Sequence, residues 1–209
     1  MRGRFITVEG VEGVGKSTNI AFIQSMLDEK GIPYLATREP GGTELGEGIR
    51  KLLLDKNQHG MTAVTELLLM FAARAQHIEQ VIEPALADGR WVICDRFTDS
   101  SYAYQGGGRE LPTELIAGLE KLAIDNYRPD CTFILDLSVE TGLSRAENVG
   151  EKDRFESEQI EFFNRVRQVF ISRANEDKRF HIVNTAQTLE QVQTEFRDIL
   201  IPLMDGYRR

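Results

Sequence analysis

The sequence predicts an α/β domain built on a doubly wound parallel sheet of five strands. Two observations carry this. Five short apolar runs, at 4–9, 33–36, 91–94, 132–137 and 180–183, alternate with longer segments whose apolar residues recur every three or four positions. The first run leads straight into Gly10-Val11-Glu12-Gly13-Val14-Gly15-Lys16-Ser17, which reads GxxxxGKS, and a helical segment follows at once.

In that glycine-rich stretch the missing side chains let the backbone turn its N–H groups inward onto phosphate oxygens. Lys16 can then reach β- and γ-phosphates and the Ser17 hydroxyl can ligate magnesium, so residues 10–18, Thr18 included, form a candidate nucleotide clamp. A glycine-rich surface turn is the plainer alternative, and the flanking strand and helix favour the clamp. Residues 16–30 place Ile20, Ile23 and Leu27 on one face and stop at Gly31. The second strand feeds Thr37-Arg38-Glu39-Pro40-Gly41-Gly42-Thr43, a loop at the end of a strand where open α/β sheets bind ligands. A helix at 44–54 carries Arg50. The next helix, 62–88, shows Val64, Leu67, Leu68, Phe71, Ala75, Ile78 and Ile82, with a kink or a second segment at Pro84. Arg74 falls about 20° from Leu67 and about 40° from Ile78 on that helix, inside the apolar stripe. A cation so placed needs a partner, which is either a structural acid or a ligand.

The third strand delivers Asp95, a candidate carboxylate for magnesium or for a positioned water, although many buried strands end in Asp. A helix at 112–126 has Leu115, Ile116, Leu119 and Leu122 as its inward face. Another helix begins at 140–146, and 147–156 is almost wholly polar, with Lys152 and Arg154 among acids. That stretch reads as a flap or as a solvated loop. Ile160, Phe163, Val166 and Phe170 mark a further helix, and Thr188 with Gln191 forms a capping box for the last one, through 203.

A chain of 209 residues with neither repeat nor linker is one domain, 1–209. Its 41% hydrophobic and 28% charged content is that of a soluble globular protein. A net charge of −8 argues against a non-specific nucleic-acid or membrane-surface binder, so any phosphate ligand must be met by local cations. Cys94 and Cys131 sit in apolar strands and read as buried thiols of a reducing compartment. With no apolar leader and no run of the roughly 20 apolar residues that a membrane helix needs, a cytoplasmic location is expected. His59, His77 and His181 lack ligand spacing and there is no CxxC, so no structural zinc site is expected.

Four stretches converge on one family. The phosphate loop with Glu12, the TREPGGT run at 37–43, Asp95-Arg96-Phe97, and Ser101-Tyr102 followed by the AYQGGGR run at 103–109 together resemble bacterial thymidylate kinases. The resemblance covers essentially the whole chain, and it implies a P-loop NTPase three-layer sandwich with a short lid at about 142–156. It implies ATP as phosphoryl donor, Mg2+, dTMP as acceptor, dTDP and ADP as products in dTTP biosynthesis, and a homodimer with neither nucleic acid nor membrane as partner. By the same resemblance residues 10–18 hold the ATP phosphates and Arg96 grips the dTMP phosphate. Glu39 orients the acceptor near sugar or metal, and Arg50 adds charge at its phosphate. Pro40 contacts the thymine methyl, Arg74 bonds the base edge, and Phe71 or Met70 stacks on the ring. Ser101 and Gln105 complete base recognition, and Tyr104 crowds the position of a ribose 2′-OH. Relatives with a small residue before Gly15, as Val14 is here, commonly draw catalytic arginines from the lid. This lid offers Arg154 first and Arg145 second, while Glu147 and Val149 stand where relatives often carry arginine.

Two other readings compete with this one. A P-loop deoxynucleoside kinase would use Glu39 as base on a 5′-hydroxyl, but Arg50, Arg74 and Arg96 suit an acceptor that already carries phosphate. A nucleotide switch lacks support, because there is no NKxD element and the DxxG match at 28–31 ends a helix.

Overall fold

A computed structural model describes residues 1–58, 60–125, 127–146 and 153–207. Among them, five parallel strands form one sheet: β1 (Phe5–Glu9), β2 (Tyr34–Arg38), β3 (Trp91–Asp95), β4 (Cys131–Asp136) and β5 (Phe180–Asn184), in the order β2-β3-β1-β4-β5. Successive side chains of a strand point to opposite faces, so each face of the sheet gathers its own core. Ile6, Val8 and Ile93 join Phe133 beneath α1 (Lys16–Glu29), α8 (Ile160–Ala174) and α9 (Leu189–Asp205). Phe5, Val92 and Cys94 face Leu86 of α4 (Glu83–Ala87) and Ile124 of α6 (Thr113–Ile124) on the other side. The result is the expected three-layer sandwich. Thr188 and Gln191 cap α9 reciprocally, as their spacing predicts.

The strand order fixes where a ligand can sit. From β1 the chain goes out to β2, returns through β3, and then crosses β1 to reach β4, which opens a crevice at the carboxyl ends of β1 and β3. Val8 lies opposite Asp95, and Arg38 is paired with Asp95 on the other side. The next residues stay tied together: the Glu39 N–H donates to the Asp95 carbonyl at 2.9 Å and the Arg96 N–H to the Val8 carbonyl at 3.0 Å.

The expected long helix is α3 (Ala63–His77), a π-helical stretch at Ile78–Ile82 and α4, and Pro84 opens the second segment that the sequence allows there, its missing N–H falling in the first turn. Residues 98–108 form α5 (Thr98–Ser101) and a π-helical Tyr102–Gly108. The run of three glycines lies inside that helix. A Cβ on Gly107 would come within 2.7 Å of Val169 and one on Gly108 within 2.4 Å of Phe162, so these glycines let α8 approach the backbone closely. Leu115 and Leu122 are not inward: Leu122 is 82% exposed, and on α3 Val64 and Leu68 are exposed as well. Both helices carry apolar side chains on two faces, so a single inward stripe is too simple a reading of them. Of the expected lid, 142–146 belong to α7 (Val139–Ala146) and 153–157 form a turn, while Glu147, Val149 and Lys152 lie outside the described residues.

Candidate active site

The phosphate loop owes its shape to three glycines. Gly10, Gly13 and Gly15 have φ of 136°, 69° and 92°, the left-handed region that side chains disfavour. Val11 and Val14 are buried beneath the loop and fix it to the core, so neither contributes a functional group to its open side. Lys16 Nζ donates to the carbonyls of Val11 at 3.0 Å and Gly10 at 3.3 Å. Burial, and next the nearby Arg96 charge, lower its pKa to about 8. Ser17 and Thr18 are exposed at the amino end of α1, where backbone N–H groups and the helix dipole favour an anion.

Arg96 follows β3 with φ of 69°. That turn sends its guanidinium across to the loop, where Nη1 donates to the Gly10 carbonyl and Nη2 to Glu12 Oε1, each at 3.0 Å. Tyr104 lies against it, with 4.8 Å from ring centroid to guanidinium carbon, and its hydroxyl donates to the same Glu12 oxygen at 2.7 Å. Beneath this pair Glu9 accepts from the Phe97 N–H at 2.7 Å and from Ser100 Oγ at 2.6 Å. Burial, reinforced by Asp99, raises the Glu9 carboxyl to about 7.

The opposite wall is built on β2, α2 (Glu44–Leu54) and α3. Arg74 is 2% exposed and each of its nitrogens has a partner: Nε donates to Glu39 Oε2 at 2.7 Å, Nη1 to Ser101 Oγ at 3.0 Å and Nη2 to the Phe97 carbonyl at 3.0 Å, one N–H of each Nη being in excess of these bonds. Glu39 precedes Pro40 through a cis peptide bond, and the Pro40 carbonyl accepts from Arg50 Nη1 at 2.9 Å. Gln105 Nε2 donates to the buried Glu66 at 2.8 Å.

Both walls border one cleft of about 580 Å³. It is lined by Glu12, Gly13, Gly15, Lys16, Ser17 and Thr18 on the loop side, and by Glu39, Pro40, Arg50, Met70 and Arg74 on the other. Asp95, Arg96, Ser101, Tyr104, Gln105 and Arg145 also line it, and Asp153, Phe155 and Glu156 border it from the lid turn. Gly10, Val11 and Val14 support the loop from behind.

Two expected residues sit elsewhere. Phe71 is 2% exposed and packs with Leu67, Tyr102 and Ile116, its ring centroid 4.8 Å from the Arg74 guanidinium carbon, so Met70 is the one of the pair that lines the cleft. Arg154 is likewise absent from the lining. Asp153 Oδ1 accepts from the Phe155 and Glu156 N–H groups in a tight turn. From it Arg154 reaches away to Glu66 at 2.7 Å and the Leu53 carbonyl at 2.7 Å. Arg145, given second place by the sequence, is the lid-side arginine that faces the cleft.

His77 and Glu66 were missed. Glu66, Met70, Arg74 and His77 recur at helical spacing along one side of α3, a period the apolar residues of the same helix mask. For magnesium, no group of three His, Cys, Asp or Glu side chains suited to a metal occurs among the described residues. Asp95 Oδ1 is nevertheless buried without a hydrogen-bond partner, and Ser17 opens onto the same cleft. One hydroxyl and one carboxylate fit an ion held mainly by phosphate oxygens and water.

A phosphate-binding loop on β1 facing a wall of buried polar side chains across one cleft defines a P-loop nucleotide phosphotransferase. The comparisons narrow the class. The family model for thymidylate kinase matches residues 8–196. The thymidylate kinase of Pseudomonas syringae pv. tomato is 53% identical over 209 residues, covering 100% of both chains. That of Teredinibacter turnerae is 53% identical over 201 residues, 96% of this chain and 98% of its own. The crystal structure of thymidylate kinase from Ehrlichia chaffeensis superposes with a TM-score of 0.77 at 34% identity, over 96% of this chain and 99% of that one. This chain belongs to the thymidylate kinase family.

Proposed function

We infer that the protein transfers the γ-phosphoryl group of ATP to dTMP, giving dTDP and ADP for dTTP biosynthesis. The observation that carries this reading is the single cleft with the GxxxxGKS loop on one wall and the Glu39–Arg74 pair on the other. Transfer between two anionic nucleotides needs positioning and positive charge at the meeting point more than a strong base. Residues 10–18 hold the ATP phosphates, with Lys16 on the β- and γ-phosphates. Magnesium, when bound, neutralises charge on those phosphate oxygens; Ser17, and Asp95 through water, would hold it. Arg96 exchanges Glu12 for the dTMP phosphate and Arg50 adds a second cation there. Arg145 comes over the reacting phosphates from α7, and Arg154 anchors the lid turn through Glu66.

On the acceptor side Met70 stacks on thymine while Phe71 supports Arg74 from behind. Arg74 bonds the base edge with Ser101 and Gln105 beside it, Pro40 meets the 5-methyl group and Tyr104 crowds a ribose 2′-OH. The alternative of Glu39 as base on a nucleoside hydroxyl is disfavoured, because both its oxygens are engaged, by Arg74 and by His77. The exposed Val64 and Leu68 of α3 and Leu115 and Leu122 of α6 support a homodimer formed through that face. The buried thiols of Cys94 and Cys131 support a reducing, cytoplasmic setting. A coupled assay with ATP and magnesium tests the reading: dTMP should stimulate ADP formation and thymidine should not. Thymidine-stimulated turnover would overturn it.

A further inference from the structure

His77 is given no role of its own in the function above, yet it is 0% exposed at the end of α3. Its two ring nitrogens are both engaged. Nδ1 lies 3.0 Å from Glu39 Oε1 and Nε2 lies 2.7 Å from Thr37 Oγ1. A carboxylate can only accept, so Nδ1 carries a proton and donates to Glu39, while Nε2 bonds the Thr37 hydroxyl. The chain of bonds runs Thr37, His77, Glu39, Arg74, Ser101, and it crosses from β2 through α3 to α5.

The loop after β2 is moulded on this ring. A Cβ on Gly42 would stand 2.4 Å from His77 Nε2 and 2.9 Å from Thr37 Oγ1, so the absence of a side chain there lets the loop close over the imidazole. Pro40 and Glu39 both lie within that loop. Glu39 has one oxygen for Arg74 and one for His77. Without the histidine the second oxygen is a buried acceptor with nothing to bond, and the carboxylate is free to turn and take Arg74 with it.

We propose that His77 is a positioning residue for the acceptor nucleotide: its Nδ1–H holds Glu39 so that Glu39 sets the Arg74 guanidinium at the base. The inference rests on Arg74 reading the acceptor, as above. It assigns His77 to one substrate, since none of its partners belongs to the phosphate loop. A merely structural histidine would not separate the two substrates.

Steady-state kinetics on five variants test it. His77→Leu removes both bonds and should raise KM for dTMP about tenfold or more, with KM for ATP within about twofold of wild type. His77→Asn places an amide near the Nδ1 position and should recover most of the loss; His77→Gln places one near Nε2 and should not. Thr37→Val cuts only the far bond and should raise KM for dTMP a few-fold, a result that stands even if His77→Leu does not fold. Unchanged KM for dTMP in His77→Leu, a parallel rise in both KM values, or recovery by Gln rather than Asn would overturn the proposal. Arg74→Gln is the reference arm. If it leaves KM for dTMP unchanged, the acceptor reading itself fails; if it raises KM while His77→Leu does not, the His77 role alone fails.

Discussion

Arg145 and Arg154 differ in what surrounds them, and the difference decides what each should do when removed. Arg154 neutralises Glu66, which is buried and retains only Arg109 and Gln105 when that partner is lost. Arg154→Ala should therefore lower stability by about 2 kcal/mol in chemical denaturation and reduce kcat less than about threefold. Arg145 is exposed and borders the cleft, so Arg145→Ala should leave stability within about 0.5 kcal/mol and reduce kcat at least about tenfold. The opposite pattern would restore the ranking that the sequence suggests. Glu9 gives a test in pH. Burial pushes its carboxyl up to about 7, above the usual 4.5, so the fold favours the protonated form. Its contribution is full below about pH 4.5 and is lost as pH rises through 7. Glu9→Gln should gain stability relative to wild type by about 3 kcal/mol between those limits. Urea denaturation at pH 4.5, 6 and 7.5 measures the difference; parallel curves would contradict the assignment. At this scale Arg74 was legible, because a cation in an apolar stripe demands a partner. The partner was not, because Glu39 is 35 residues away and only the sheet brings it near.

Among elements, α7 is the one whose placement was hardest to foresee. Gly142 sits on the phosphate loop so closely that a Cβ would stand 2.6 Å from the Glu12 carbonyl, while a Cβ on Gly13 would stand 1.9 Å from the Gly142 carbonyl. Gly142 and Arg145 are three residues apart, on one side of the helix, so this contact sets where the arginine enters the cleft. Gly142→Ala should push α7 off the loop and lower kcat by about tenfold or more. Gly48→Ala in the helix Glu44–Leu54, where the added carbon meets no neighbouring group within 4 Å, should instead stabilise the protein by about 0.5–1 kcal/mol. Equal behaviour of the two variants, in kinetics and thermal melting, would show that the loop contact carries no constraint. Strands were easy to find because each is a short apolar run. The helix at 98–108 was not, since glycines used for close packing against α8 look in sequence like glycines used for a turn.

For the molecule as a whole, the strand order brings the ends of β1, β2 and β3 together; the sequence pattern implies a doubly wound parallel sheet, but the order itself emerges only from the pairing. In a chain of net charge −8, five of the 25 Lys and Arg residues, Lys16, Arg50, Arg74, Arg96 and Arg145, line one cleft, so positive charge is concentrated there locally. Discrimination should follow the pocket chemistry. Loss of one methyl group is worth only about 10- to 200-fold, so dUMP should be a poor but real substrate, and equal kcat/KM for dUMP and dTMP would exclude a methyl contact at Pro40. The exposed apolar side chains of α3 and α6 should bury one another in a dimer, which Leu122→Glu would dissociate in sedimentation velocity without altering the fold. The central claim is that one cleft holds donor and acceptor together, end to end. An adenosine and a thymidine joined through their 5′ oxygens by five phosphates tests it in a single inhibition experiment. Competition against both ATP and dTMP, weakened by Lys16→Ala and by Arg74→Gln, is the predicted result; competition against only one of the two nucleotides would contradict the account.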